Sequence, residues 1–305
     1  MSGNFAPSSI PLTGRMPGTF FSPATEGLYG LGQHQQKVMN YKGNSVALDQ
    51  QNKEIALPFL LSTNGYGLLW DNYSYTDFKG NVAGNTQYQF SSESGKMIDY
   101  YFMYGPEPDS IIHQYRYASG IAPMFPKWAY GLFQSKDKYT SATELLTMAN
   151  SYREAGFPLD CIVQDWDYWT PDLWGSHTVN VDRYPDPKAL VDSLHALNLH
   201  TMISIWPVFH KNTANYQEFN AINALYPSNG NHHFYDPHNY AARKIYWNQL
   251  NSQIFAKHGW DAWWADNNEP QGYPDAFDRK NFTTAKGPGV TFYNTYPIQH
   301  TAGYY

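Results

Sequence analysis

Apolar residues change their rhythm partway along the chain. From about residue 24 to 118 they come in short runs broken by turn residues. Ile55-Ala56-Leu57-Pro58-Phe59-Leu60-Leu61 is one such run, and Pro58, which lacks an N–H, predicts an edge position or a bulge inside it. Asn64-Gly65 marks a turn and Tyr66 to Trp70 a returning strand, so a hairpin is expected. Met97 to Tyr104 is a further apolar and aromatic run, closed by Gly105-Pro106. No helical period longer than two turns competes with these until Asp109 to Tyr117. The pattern predicts antiparallel sheets packed as a sandwich.

Beyond Pro123 strands alternate with helices. Trp128 to Phe133 reads as a strand, and Ser141 with Glu144 as a capping box opening a helix with Leu145, Met148 or Ala149, and Tyr152 on one face. Gly156 and Pro158 end it, and Leu159 to Val163 is the next strand. Asp186-Pro187 supplies an N-cap and a first-turn proline to a helix that buries Leu190, Val191, Leu194 and Leu197. Met202 to Trp206 is a third strand, Tyr240 to His258 a third helix stopped by Gly259, and Ala262 to Ala265 a fourth strand. Val290 to Tyr305 could begin another strand and helix. Such alternation implies a parallel sheet with right-handed crossovers. A closed (β/α)8 barrel needs eight strands and typically about 250 residues. The expected organisation is therefore an all-β sandwich domain over residues 1–120, followed over 121–305 by the N-terminal half of a (β/α)8 barrel, incomplete.

Composition narrows the partners. Charged residues are only 15% of the chain and the net charge is -6, with no basic run to track a phosphate backbone, which argues against a nucleic-acid partner. Aromatic residues reach 17%, a composition suited to stacking on neutral sugars. The single cysteine, Cys161, sits in an apolar run and reads as a small buried hydrophobe. Neither a signal peptide nor a membrane-spanning segment is visible, and no phosphate loop or cofactor motif appears. His232-His233 with Asp236 is the nearest approach to a metal pattern, and nothing else supports a metal. His34, His177 and His210 could meet sugar hydroxyls, although surface or structural roles are commoner for such residues. Oligomeric state is left open.

Asp261 to Pro270 carries the most chemistry. A short apolar strand with two tryptophans, Trp263 and Trp264, ends at Asp266, where strand becomes loop. In a (β/α) barrel that is the mouth. Flat aromatic surface beside a carboxylate is what a sugar-processing site needs; an aromatic core strand followed by a helix cap is the alternative.

Several ordered motifs bear on that choice. Gly30-Leu31-Gly32-Gln33-His34, Asn40-Tyr41-Lys42-Gly43 and Gly65-Tyr66-Gly67-Leu68-Leu69-Trp70-Asp71 lie in the first half. Pro158-Leu159-Asp160 leading to Asp165-Trp166, then Trp174-Gly175, Asp182-Arg183-Tyr184-Pro185-Asp186-Pro187, Ser204-Ile205-Trp206-Pro207 and Trp264-Ala265-Asp266 with Glu269-Pro270, follow in the second. Together, from Gly27 onward, they resemble glycoside hydrolase family 31, the α-glucosidases and α-xylosidases. The resemblance implies a β-sandwich followed by a TIM barrel and a retaining α-glycosidase acting on α-linked oligosaccharides, without a cofactor.

By motif the nucleophile falls on Asp266, with an N-cap or salt-bridge aspartate as the alternative. Asp165 resembles the aspartate that bonds the far hydroxyls of the reacting sugar; a loop carboxylate capping a short helix through Trp169 is its alternative. Trp206 and Trp264 look like pocket walls, or else barrel core. Glu269 would hold the nucleophile loop or simply charge a helix N-terminus, and Trp166 and Trp169 would shape further subsites or shield the mouth. The family's acid/base aspartate is expected on a later strand, beyond Tyr305; neither Asp275 nor Asp278 matches its motif. Trp263-Trp264 resembles members acting on xylose-decorated glucan fragments, so α-xylosidase is the first expectation and α-glucosidase or α-glucosyltransferase the next. A carbohydrate-binding protein without turnover, or an inactive fragment, is the reading from another class.

Overall fold

The computed structural model of the chain describes residues 15–270, 278 and 280–304. They divide into two compact units. The described residues up to Ala122, with Pro288–Thr295, form one, and those from Pro123 to Gly287, with those from Tyr296 onward, form the other.

The first unit is a sandwich of two four-stranded antiparallel sheets. One has the order β1 (Met16–Phe21), β7 (Gln87–Ser92), β6 (Thr76–Val82), β3 (Ser45–Leu48); the other β2 (Leu28–Gln33), β4 (Ile55–Ser62), β5 (Tyr66–Trp70), β8 (Tyr100–Tyr104). Inward residues of both sheets, among them Leu28, Leu60, Trp70, Phe78 and Phe90, form its core. The helix α1 (Pro108–Ser119) buries Ile111 against Phe59 and Met103.

Pro58 shows how the sequence signal resolves. β4 lies between β2 and β5, so Pro58 is not on an edge strand. It falls where the β2–β4 register shifts, between the pairs Gly30–Leu60 and Gly32–Ala56, and ahead of the first β4–β5 pair, Phe59–Leu69. The bulge removes the need for its missing N–H. Gly32 is forced there: its φ is +104°, and a Cβ would lie 1.8 Å from the Ile55 carbonyl oxygen. The β4–β5 hairpin closes from Ser62 to Tyr66, with Gly65 left-handed at φ +77°.

The second unit is built on a parallel sheet of order β14 (Ala262–Ala265), β11 (His200–Ile205), β10 (Leu159–Gln164), β9 (Leu132–Gln134). The strand–helix alternation that carries it follows the expected half of a (β/α) barrel. The helix α2 (Ala142–Glu154) starts at Ser141, whose side chain accepts the Glu144 N–H at 3.1 Å; Glu144 returns the bond to the Thr140 N–H at 2.7 Å, one residue earlier than a standard capping box. The helix α3 (Pro187–Ala196) is capped by Asp186, which accepts the Ala189 N–H at 2.9 Å, and buries Leu190, Val191 and Leu194. After β11 comes an antiparallel hairpin of β12 (Val208–His210) and β13 (His232–Phe234), with α4 (Ala214–Asn220) between them. The long helix runs as α5 (Tyr240–Leu250), a π-helical turn Asn251–Phe255 and α6 (Ala256–His258), ending at Gly259 with φ +81°.

Two expectations fail. Trp128 is not in a strand: Lys127–Tyr130 forms a 3-10 turn, and the strand begins only at Leu132. Pro126 starts that turn, the Gly131 N–H closes it on the Trp128 carbonyl, and the Trp128 ring stacks on His200 with centroids 4.3 Å apart. The final segment contains no strand among the described residues. Gly289–Phe292, Tyr293–Thr295 and Tyr296–Thr301 are all helical; in the last, Tyr296 and His300, four residues apart, bury one helical face in the second unit's aromatic core. Among the described residues no helix is long and apolar enough to cross a membrane.

Candidate active site

Three of the residues singled out in the sequence occupy equivalent places. Asp165 follows β10, Trp206 follows β11 and Asp266 follows β14, each as the first residue beyond the C-terminal end of its strand. The ladder carries on past the last pair, since the Asp266 N–H donates to the Ile205 carbonyl at 3.0 Å. In a parallel pair facing residues share a side, and along a strand sides alternate. Val163 pairs with Met202, Met202 with Ala262, and Ser204 with Trp264. Two-residue steps from these put Asp165, Ser204, Trp206, Trp264 and Asp266 on one face. Trp263 and Ala265 take the other, where Trp263 meets Phe255 at 5.6 Å. This end of a parallel (β/α) sheet is where such folds place their chemistry.

The surroundings of these strand ends are aromatic. Trp174 lies at their centre, with ring centroids 5.5 Å from Trp166, 5.1 Å from Trp169 and 4.9 Å from Trp206. The Trp206 Nε1–H donates to the Ser204 Oγ at 3.0 Å, which fixes the indole against its own strand. Trp206 and Trp169 are buried, whereas Trp264 is 43% exposed and offers open aromatic surface. His232 of the β12–β13 hairpin meets the Trp174 edge at 5.7 Å and the His210 ring at 4.8 Å. Asp165 begins an irregular stretch with no helix from residue 165 to 169, so it caps none there.

Electrostatics separate these carboxylates from ordinary ones. Burial pushes the Asp266 carboxyl up to about 6; the Asn267 N–H, donating to its Oδ1 at 2.7 Å, opposes this, and the charges of Asp165 and Glu269 add to the rise. Burial also raises Asp165, against the bond from the Trp166 N–H at 2.7 Å and with the charge of Asp137. Glu269 is half-buried and acts on Asp266 through its charge. At neutral pH Asp266 is largely ionised yet poorly solvated, the condition that strengthens a carboxylate as a nucleophile.

The remaining candidates lie elsewhere. Asp278 is exposed and holds a turn by accepting the N–H groups of Lys280 and Asn281. Asp275 falls outside the described residues. His34 bonds Glu54 and the Leu31 carbonyl in the sandwich. His177 is packed edge-on against Phe209 and Tyr246, and its burial pulls its pKa down to about 3. His233 bonds the Tyr226 carbonyl, while Asp236 accepts from the Ala285 N–H and the Tyr226 hydroxyl. Among the described residues no group of three or more His, Cys, Asp or Glu could hold a metal ion. Sequence reasoning did not single out Trp174 as the centre of the tryptophan cluster, or the hairpin that brings His232 to it. A tryptophan followed by glycine was the only local trace.

Residues 122–305 match the model of the glycosyl hydrolases family 31 TIM-barrel domain. Over 280 residues the chain is 34% identical to an α-xylosidase of Saccharolobus solfataricus, covering 90% of this chain and 37% of that protein. It is 31% identical over 290 residues to an uncharacterized family 31 glucosidase of Pseudescherichia vulneris, covering 92% of this chain and 53% of that protein. The crystal structure of a family 31 α-xylosidase from a soil metagenome, complexed with xylose, superposes with a TM-score of 0.88 at 30% identity, over 95% of this chain and 43% of that one. The chain belongs to glycoside hydrolase family 31. It spans about half or less of the length of these relatives.

Proposed function

We propose that the protein to which this chain belongs is a retaining α-glycosidase acting on α-linked oligosaccharides, with Asp266 as its nucleophile. The observation that supports this best is the placement of Asp165 and Asp266 at the ends of parallel strands in a tryptophan-walled mouth, with the Asp266 carboxyl raised to about 6. In the first step an Asp266 oxygen bonds to the anomeric carbon as the bond to the leaving oxygen breaks. That oxygen takes a proton from a general acid, which the family resemblance puts on a later strand. In the second step the same group, now a base, removes a proton from water, and the water oxygen displaces Asp266 from the anomeric carbon. Asp165 accepts hydrogen bonds from the sugar's far hydroxyls, Trp206 and Trp264 wall the ring, Trp169 braces that wall, and Glu269 keeps the nucleophile loop in place.

Within this class we read the substrate as an α-xyloside, such as a xylose-decorated glucan fragment. The support is the two relatives that are α-xylosidases, one of them complexed with xylose. The glucosidase relative favours a second reading, an α-glucosidase or α-glucosyltransferase. Xylose lacks only the CH2OH arm of glucose, and a pocket wall discriminates such a difference by roughly 10- to 200-fold. Following the anomers released from aryl α-xyloside and aryl α-glucoside by NMR tests both levels. The expected result is an α-anomer as first product and faster turnover of the xyloside. A β-anomer first would overturn retention, and faster turnover of the glucoside would replace the xylosidase reading. Binding of either sugar with no turnover by the whole protein would favour a carbohydrate-binding function instead.

A further inference from the structure

Asp165 does not set its own position. Among the described residues its carboxylate receives one hydrogen bond, from the N–H of its neighbour Trp166 at 2.7 Å. Where that carboxylate points therefore depends on what holds the Trp166 peptide. Asp167, the next residue, has a left-handed backbone at φ +59°, a conformation that aspartate tolerates better than most L residues and that turns the chain sharply after Trp166.

Two other loops hold that turn. From the loop between β9 and α2, the Lys138 ammonium sits 2.8 Å from the Asp167 Oδ2 and 4.6 Å from the centre of the Trp166 ring. Asp137, beside it, accepts the Trp166 Nε1–H at 3.1 Å. From the loop before α3, Arg183 donates to the Asp167 carbonyl and lies 3.9 Å from its carboxylate, while its Nε donates to the Thr140 carbonyl at 2.9 Å. Among the described residues Lys138 is the side chain that engages both the Trp166 ring and the Asp167 carboxylate, the two residues that follow the peptide N–H orienting Asp165.

We propose that Lys138 is a positioning residue for the sugar site: by clamping Trp166 and Asp167 it holds the Asp165 carboxylate where it meets the sugar hydroxyls. This rests on the reading of Asp165 and Asp266 as parts of a sugar site. It assigns to Lys138 an effect on sugar binding, with no part in bond making or breaking. The guanidinium of Arg183 secures only the Asp167 side, so it does not replace the ammonium over the indole ring.

The test separates binding from the covalent step. A 5-fluoro-α-xylosyl fluoride loses fluoride as Asp266 attacks the anomeric carbon, and fluoride departs without a proton donor, so labelling needs only the nucleophile and the binding groups. Labelling rate against reagent concentration gives a half-saturation concentration and a limiting rate. Lys138→Met keeps the apolar stem and removes the charge. It is expected to raise the half-saturation concentration about 5- to 20-fold, the combined weight of a cation–π contact and a partly exposed ion pair, with the limiting rate changed by less than about threefold. Lys138→Arg, which keeps a cation over the ring, is expected to recover most of the affinity. Asp137→Ala is expected to weaken labelling in the same direction by a smaller factor. An unchanged half-saturation concentration in Lys138→Met would overturn the clamp, as would an equal loss in Lys138→Arg and Lys138→Met. If the unsubstituted protein takes no label at Asp266, the sugar-site reading itself fails, and the clamp falls with it.

Discussion

Two aspartates at opposite ends of β14 live under opposite rules. Asp261, just before the strand, has its Oδ2 in contact with the Thr201 N–H at 2.8 Å, the Thr201 hydroxyl at 3.0 Å, His195 at 2.8 Å and, more distantly, His200 at 3.7 Å. Burial pushes its carboxyl up, but the bonds from His195 and Thr201 outweigh that and leave it below its ordinary value. Asp266, just after the strand, accepts the Asn267 N–H as its one hydrogen bond among the described residues, and burial pushes it up to about 6. The first carboxylate ties β14, β11 and α3 together, so its charge stabilises the fold. The second is kept ionised in a place that penalises the charge. At the start of a barrel strand a carboxylate is a fastener; at its end, with poor solvation and few donors, it is available for chemistry.

The contrast is broken most sharply by substituting each aspartate in turn. Asp266→Asn should lower turnover by roughly 10⁴-fold or more, since a neutral amide cannot form the covalent intermediate, while Asp261→Ala should leave turnover within a few-fold. An equal loss from both would mean that Asp266 acts only through the fold.

Acid should act on the second unit through its buried rings. His177 and His300 both have pKa values pulled down to about 3 by burial. A depressed histidine is neutral in the folded state, so stability is retained above pH 6.5, the ordinary value, and is lost as pH falls from there toward 3. Each ring then contributes up to about 1.4 kcal/mol per pH unit. Denaturant melts between pH 7 and 4 check this, with His177→Phe expected to flatten the slope.

Stability should move in opposite directions for the two carboxylates. Asp261→Ala removes the acceptor for Thr201 and should cost about 1–3 kcal/mol. Asp266, whose folded pKa is raised, contributes stability only below its ordinary 3.8 and loses it as pH rises to about 6. Asp266→Asn should therefore stabilise the unit at neutral pH by about 1–2 kcal/mol, after allowing for partial solvent screening. The gain should vanish below pH 4, which a melting series across that range would show.

The smallest effect expected is electrostatic. Asp165→Asn removes a charge that raises Asp266, so the acid limb of the labelling rate should shift to lower pH while affinity falls. An upward shift would mean that the two carboxylates do not share one environment.

Local signals were readable in the sequence and distant ones were not. Asp186 and Ser141 announce their helices because a cap is a bond to a backbone N–H three residues on. β14 is legible because its apolar run ends abruptly in Asp266-Asn267-Asn268. Trp128 to Phe133 misled because an aromatic run before a strand has the same composition as the strand, and the stacking of Trp128 on His200, far along the chain, cannot be read from the run itself. The β12–β13 hairpin was missed because its strands are three residues each and twenty-one residues separate them. For the candidate site, the three strand-end residues were legible from motifs, whereas the contacts of Lys138 with Asp167 and Trp166 were not. An ion pair across 29 positions leaves no periodicity to read.

The most direct test of this account is the identity of the residue that takes a covalent sugar. After treatment with 5-fluoro-α-xylosyl fluoride and proteolysis, mass spectrometry should find one labelled peptide, with the glycosyl ester on Asp266 and none on Asp165 or Asp261. A label on any residue but Asp266 would contradict the assignment of the nucleophile.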